Sequence, residues 1–171
     1  NAHIATGEPG STAASTLPLQ DILVTDGVFT AFGPGLAQQY EAQGGDLAAI
    51  EVVDLGGKLV CPPFCDTHLH LDYVFTARKP GAVNESGTLF EGIQRWSETK
   101  SDLTVDEIKQ RAKIGIKKEM LHGVQLIRSH ADVTDPNLTS LKALLELKEE
   151  LKDTVTLQIV SFPQEGMYSY E

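Results

Sequence analysis

A chain of 171 residues with 41% hydrophobic content and a net charge of −10 has the composition of one ordinary globular domain, or of a domain with a small appendage. So acidic a surface repels nucleic-acid phosphates and anionic membranes, and no apolar run reaches the roughly 18 residues of a membrane span. No nucleic acid and no membrane are therefore expected as partners; a small neutral substrate is compatible with the charge.

The first twenty residues, rich in Gly, Ser, Thr, Ala and Pro, read as a loose arm or weak edge strand, with His3 an exposed terminal side chain. They carry no basic-then-apolar leader, and a chain that opens on Asn reads as trimmed. "DILVTDGVFTAFG", 21–33, is two β-rich runs around Asp26-Gly27, a hairpin signal. Beyond it come one ambiguous segment, two Gly-Gly pairs and short strands near 50–54 and 58–61. Residues 21–61 form a small antiparallel β unit, too small to hold itself together alone. In "CPPFC", Cys61 and Cys65 lie about 13 Å apart along an extended segment. That is beyond disulfide reach, so both read as buried apolar thiols in a reducing cytoplasm.

The texture changes after Pro63. "FCDTHLHL" reads as a buried strand and 73–87 as a loop. A helix over 88–100 carries Leu89, Ile93 and Trp96 on one face. The next begins at a capping box, Thr104 with Glu107, and ends with Gly123 past its C-terminus; its stripe is Ile108, Ala112, Ile116 and Met120. A strand over 124–133 follows, then a helix with Leu138, Leu141 and Leu145 inward and either Leu144 or Lys148 at the margin, then a strand over 154–166. This βαβαβ order implies a parallel sheet with right-handed crossovers. Either a doubly wound sheet or a (β/α)8 barrel satisfies it, although no Gly-x-Gly-x-x-Gly follows the first strand.

Strand alternation puts Asp66, His68, His70 and Asp72 on one face. Two imidazoles one residue apart can share a cation at about 2.0–2.1 Å each, and catalytic groups collect where barrel strands end. A chance His-x-His is the alternative. The buried strand end and the carboxylates on the same face favour the cation.

"GGKLVCPPFCDTHLHLD", 56–72, resembles the entry of the amidohydrolase superfamily into its barrel. "NESGTLFEGIQRW", 84–96, "DEIKQRA", 106–112, "HADV", 130–133, and "SFPQEG", 161–166, are similar to bacterial cytosine deaminases and their near relatives. The resemblance implies an α/β fold: the first part of a metal-dependent-hydrolase-type (β/α)8 TIM barrel over 62–171, preceded over 1–61 by strands of a small β-sandwich. It implies one divalent metal ion, iron or zinc, on His68 and His70. The ion activates a hydroxide that adds to the ring carbon bearing the amine, turning cytosine to uracil and ammonia. It further implies that Gln164 reads the pyrimidine edge and that the backbone of Leu89 touches the base; packing at Leu89 and a strand-end role for Gln164 are the alternatives.

His130 and Asp132 share one strand parity and are assigned to lining or to hydrogen bonds behind the metal ligands, with an ordinary buried polar network as the equal alternative. His122 belongs to a helix end. Asp66 and Asp72 are not assigned as ligands, and Glu165, expected to point away from Gln164, is not the general acid. No catalytic residue is identifiable within the 171: the family's later histidines, Glu proton shuttle and eighth-strand Asp have no counterpart. The chain is thus expected to be the N-terminal portion of a cytoplasmic, homo-oligomeric enzyme, its partners a heterocyclic substrate and the missing C-terminal barrel portion. Isocytosine, creatinine-like rings and triazines remain open as substrates. A catalytically incomplete structural or assembly fragment, or an acidic binding module with an incidental His-x-His, remain the other functions.

Overall fold

The structure, a computed structural model, describes residues 1–5 and 17–167; most of the N-terminal arm read from the sequence lies outside them. The chain divides between Pro62 and Pro63 into two units.

In the first unit the strands are β1 (Ala2–Ile4), β2 (Leu19–Thr25), β3 (Val28–Gly33) and β4 (Leu59–Val60), in sheet order β3-β2-β1-β4. The hairpin turns where expected. Asp26 and Gly27 both hold positive φ, 52° and 76°, the demand of the tight turn that matches strand twist. The sheet is mixed, because β1 runs antiparallel to β2 but parallel to β4. The ambiguous segment is helix α1 (Leu36–Ala42), whose first N–H donates to Asp21 Oδ2 at 2.9 Å. The strand expected near 50–54 does not form: Val52 and Val53 stay exposed, and Asp54 turns the backbone by accepting from Gly56 N. His3 is not a free terminal side chain; its Nδ1 meets the Leu17 carbonyl at 2.6 Å.

The second unit runs β5 (Phe64–Leu69), α2 (Leu89–Lys100), α3 (Val105–Leu121), β6 (Val124–Asp132), α4 (Thr139–Glu150) and β7 (Thr156–Phe162). Its three strands form a parallel sheet in the order β5-β6-β7. Strand alternation sends Ile127, Ser129 and Ala131 of β6 into the core, against Ile108, Ala112 and Ile116 of α3 and Ala143, Leu144 and Leu147 of α4. The opposite face carries Leu126, Arg128 and His130, which stay at least partly exposed. One face of the sheet is therefore the apolar foundation, and the other is free to carry chemistry.

Two local readings need correction. The buried stripe of α4 is Ser140, Ala143, Leu144 and Leu147, while Leu138 and Leu145 lie outward; the stripe includes small residues that a reading guided by the leucines passes over. Cys61 and Cys65 are exposed free thiols rather than buried ones; Cys65 sits on β5, an edge strand of the described sheet. Among the described residues no helix is long and apolar enough to cross a membrane.

The capping box on α3 is complete. Thr104 Oγ1 accepts from Glu107 N, and Glu107 Oε2 accepts from Thr104 N. Thr104→Ala should cost the helix about 1 kcal/mol, and Thr104→Ser should cost less. Faster hydrogen exchange at the Glu107 amide in the alanine variant is the local measurement that checks this.

Candidate functional site

The expected alternation along β5 is interrupted. Asp66 pairs with Ile127 but Leu69 with Ser129, so β5 carries one extra residue between them, a bulge of the kind that re-aims side chains beside active sites. Asp66 accordingly bends back to accept from His68 N at 2.9 Å, and it does not join the histidines. Past the bulge, His68 and His70 still straddle Leu69 and converge, their Nε2 atoms 3.3 Å apart.

That spacing admits a definite occupant. Two nitrogen ligands at 2.0–2.1 Å on a tetrahedral ion sit about 3.3–3.4 Å from each other. The ring of His70 is fixed as such a site requires. Its Nδ1 lies 3.1 Å from the carbonyl oxygen of His130, which can only accept, so the proton sits on Nδ1 and the Nε2 lone pair faces His68. A carbonyl behind a ligating imidazole is the usual device for holding its tautomer. Burial, then the neighbouring charge of His68, keep the His70 pKa below its ordinary value of 6.5 and favour the neutral form that binds cations.

His130 stacks on His68 with ring centroids 4.0 Å apart, and its pKa too is lowered, by burial and then by His68. Its Nδ1 is buried and finds no hydrogen-bond partner among the described residues. Phe162 meets His70 and His130 edge-on, and Tyr73 stacks on His70 at 4.6 Å. The group lies at the C-terminal ends of all three strands, where open α/β sheets and barrels bind their ligands. Among the described residues, however, no group of three or more His, Cys, Asp or Glu is placed to hold a metal ion. Two imidazoles are half of a site.

Gln164 and Leu89, separated by 75 positions in sequence, line one cavity of about 420 Å³ together with Tyr73, Ile93 and Trp96. Tyr73 belongs to both groups, so one ring joins the cavity to the histidine cluster. Leu89 opens α2 with 74% of its surface exposed. The loop before it is pinned by Glu91, which accepts from the amides of Glu85 and Ser86 at 3.0 and 2.7 Å; the Ser86 side chain first, then these two amides, pull the Glu91 pKa down to about 2.

Asp132 is turned toward α2 and is bonded to neither histidine. Its carboxylate accepts from Trp96 Nε1 at 2.6 Å, from Lys100 at 3.3 Å and from the hydroxyl of Thr134 at 2.6 Å. Burial opposes its charge, but these partners hold its pKa below the carboxylate range. Asp72 is fully buried and accepts from the backbone amides of Asp132 and Tyr73; burial pushes it up to about 6. His122 ends α3 with Nδ1 2.7 Å from the Lys118 carbonyl. Tyr73, Phe162 and Lys100 were missed from sequence; the only signal for Lys100 was its place one turn after Trp96, on the buried face of α2.

The description of the family that matches residues 51–170 is the amidohydrolase family. Among solved structures, the chain is similar to 5-methylcytosine deaminase from Klebsiella pneumoniae, with 38% identity and a TM-score of 0.73. The match covers 99% of this chain and 37% of that one in the structure liganded with 5-fluorocytosine. It covers 100% and 38% in the structure liganded with phosphonocytosine. N-isopropylammelide isopropyl amidohydrolase from Pseudomonas sp. (strain ADP) is 35% identical over 68% of this chain and 30% of its own length. Pterin deaminase from Rhizobium rhizogenes is 27% identical over 86% of this chain and 32% of its own. The chain thus spans about a third of the length of the relatives it matches.

In metal-free protein, nitrogen-15 NMR at pH 7 should show His70 protonated on Nδ1 and bare on Nε2, with a titration midpoint below 6.5. Because the folded pKa is depressed, neutral His70 supports the fold fully above 6.5 and that support is lost as pH falls. An Nε2–H tautomer contradicts the geometry.

Proposed function

The chain belongs to the amidohydrolase family, and from that premise we propose that it supplies the first metal ligands and the base-recognition elements of a deaminase acting on cytosine or a similar small heterocycle. The observation that carries the reading is the convergence of His68 and His70 Nε2 at 3.3 Å. The 38% identity to a 5-methylcytosine deaminase over nearly the whole chain supports the choice of ring.

The net reaction is hydrolytic: water supplies an oxygen to the ring carbon, the exocyclic C–N bond breaks and ammonia leaves. His68 and His70 would hold a divalent ion, iron or zinc, whose contribution when bound would be to lower the pKa of water toward neutrality and so supply a nucleophile. The residues of this chain provide the setting. His70 keeps its Nε2 lone pair aimed at the ion's place through its bond to the His130 carbonyl, and His130, stacked on His68, limits rotation of that ring. Gln164 offers an amide donor and an acceptor to a ring that carries both, and Leu89 and Tyr73 frame the cavity into which it fits. A cavity of about 420 Å³ is within the range of small-molecule sites.

A working centre takes at least three protein ligands and a barrel of this kind about 250 residues. We therefore assign the remaining ligands and the proton shuttle to residues outside these 171, in a (β/α)8 barrel of which β5, β6 and β7 are the opening strands. A second reading, an aminohydrolase acting on a triazine, is favoured by the likeness to the N-isopropylammelide enzyme.

The test is amine release by the full-length protein, ammonia from cytosine, 5-methylcytosine, isocytosine, creatinine and pterin and isopropylamine from N-isopropylammelide, with metal content measured in parallel. Cytosine or 5-methylcytosine is expected to be the best substrate. His68→Ala and His70→Ala should each lose bound metal and lower kcat/KM by at least about 100-fold. Full metal content in both variants, or turnover of none of the rings, refutes the proposal.

A further inference from the structure

Gln164 and Glu165 are the central residues of a tight turn that follows β7, closed by the Gly166 N–H donating to the Pro163 carbonyl at 3.0 Å. The two side chains have different destinations. Gln164 borders the cavity, and its amide makes no hydrogen bond to any described residue, so the turn that carries it governs where it is presented. Glu165 reaches across to Lys100, Oε1 to Nζ 2.6 Å.

Lys100 is an unusual anchor. It is the last residue of α2, only 7% exposed, and all three ammonium donors are used: on Glu165, on the hydroxyl of Thr134 at 2.6 Å and on Asp132 at 3.3 Å. Burial works against its charge, yet the bond to Glu165 and the charge of Asp132 leave its pKa above the ordinary lysine value. Trp96, one turn earlier on the same helix, lines the cavity and donates to the same Asp132 carboxylate. One buried cation thereby ties the cavity wall on α2, the end of β6 and the turn that carries Gln164.

We propose that Lys100 and Glu165 are positioning residues for substrate binding: their ion pair locks the 163–166 turn so that the Gln164 amide stays presented to the cavity before substrate arrives. The physical gain is preorganisation. An amide on a loose turn loses conformational freedom on binding, and that loss weakens affinity; a desolvated ion pair in a low-dielectric setting holds the turn in advance. Nothing in this role touches the reacting atoms, so it acts on binding more than on turnover. It rests on the reading of Gln164 as the side chain that recognises the ring.

The experiment is a double-mutant cycle in the full-length protein, with the best substrate of the panel above and metal content and thermal midpoint measured alongside. Glu165→Ala should raise KM at least about tenfold while kcat falls by no more than about threefold, at full metal content. Glu165→Gln, which keeps an acceptor for Lys100, should recover most of the loss. In a Gln164→Ala background the further substitution Glu165→Ala should change KM by less than about twofold, because the amide it positions is gone. Lys100→Arg, which keeps the charge, should resemble Glu165→Gln. Additive effects of the two alanine substitutions, or an unchanged KM in Glu165→Ala, overturn the positioning role while leaving Gln164 as the ring-recognising residue. An unchanged KM in Gln164→Ala itself, or turnover of none of the rings, refutes the underlying reading and the present inference with it.

Discussion

The bond from His70 Nδ1 to the carbonyl of His130 (3.1 Å) is the contact on which the candidate site depends. It runs from the end of β5 to the main chain of β6, so it exists only because those strands are parallel neighbours in the right register. It decides which nitrogen of His70 carries the proton, and hence which one faces His68. Moving β5 by a single residue would turn His70 to the helix-covered face and leave the His130 carbonyl with nothing to hold. The apolar foundation built from α3, α4 and the inner face of β6 is therefore linked to function directly: it secures the register that points two imidazoles at one place.

The polar groups divide by environment. On the open face of the sheet, His68, His70 and His130 are at least partly exposed, and burial, then the neighbouring His68, lower the pKa values of His70 and His130. Behind the strand ends, Asp72, Asp132 and Lys100 are buried among Trp96, Thr134 and Ser129, and each has several partners. Removing one member of such a network leaves an uncompensated charge, which costs more than the bond alone contributes. That asymmetry makes the network suited to specifying geometry: it admits one arrangement of α2, the end of β6 and the turn after β7, and the cavity wall inherits that arrangement.

Much of this was legible in the residues. The Asp26-Gly27 turn, the Thr104–Glu107 box and the stripe of α3 are local signals whose cause and effect lie within a few residues, and the structure has each of them. The pairing of His68 with His70 was legible for the same reason, since residues two apart on an extended chain share a side. The illegible parts depend on partners distant in sequence. The bulge after Asp66 reflects register against β6, and it breaks the single face that alternation alone would give Asp66, His68, His70 and Asp72. Parity leaves Asp132 either behind the histidines or in an ordinary buried polar network; the network forms, because Trp96 and Lys100, 36 and 32 positions earlier, draw its carboxylate toward α2. For Lys100 the one local sign was its place a turn after Trp96, because only tertiary structure supplies the three acceptors that let a lysine be buried. The α4 stripe is displaced onto Ser140, Ala143, Leu144 and Leu147, two of which are small residues that carry little hydrophobic signal.

X-ray absorption spectroscopy of the metal-loaded full-length protein tests the central idea most directly. Two imidazole nitrogens from this chain are expected at about 2.0–2.1 Å from the ion, with one imidazole fewer in the shell of any metal retained by His68→Ala and likewise by His70→Ala. An imidazole count identical in wild type and both variants would mean that the ion, if one is bound, sits elsewhere, and the reading of these two histidines as ligands would be wrong.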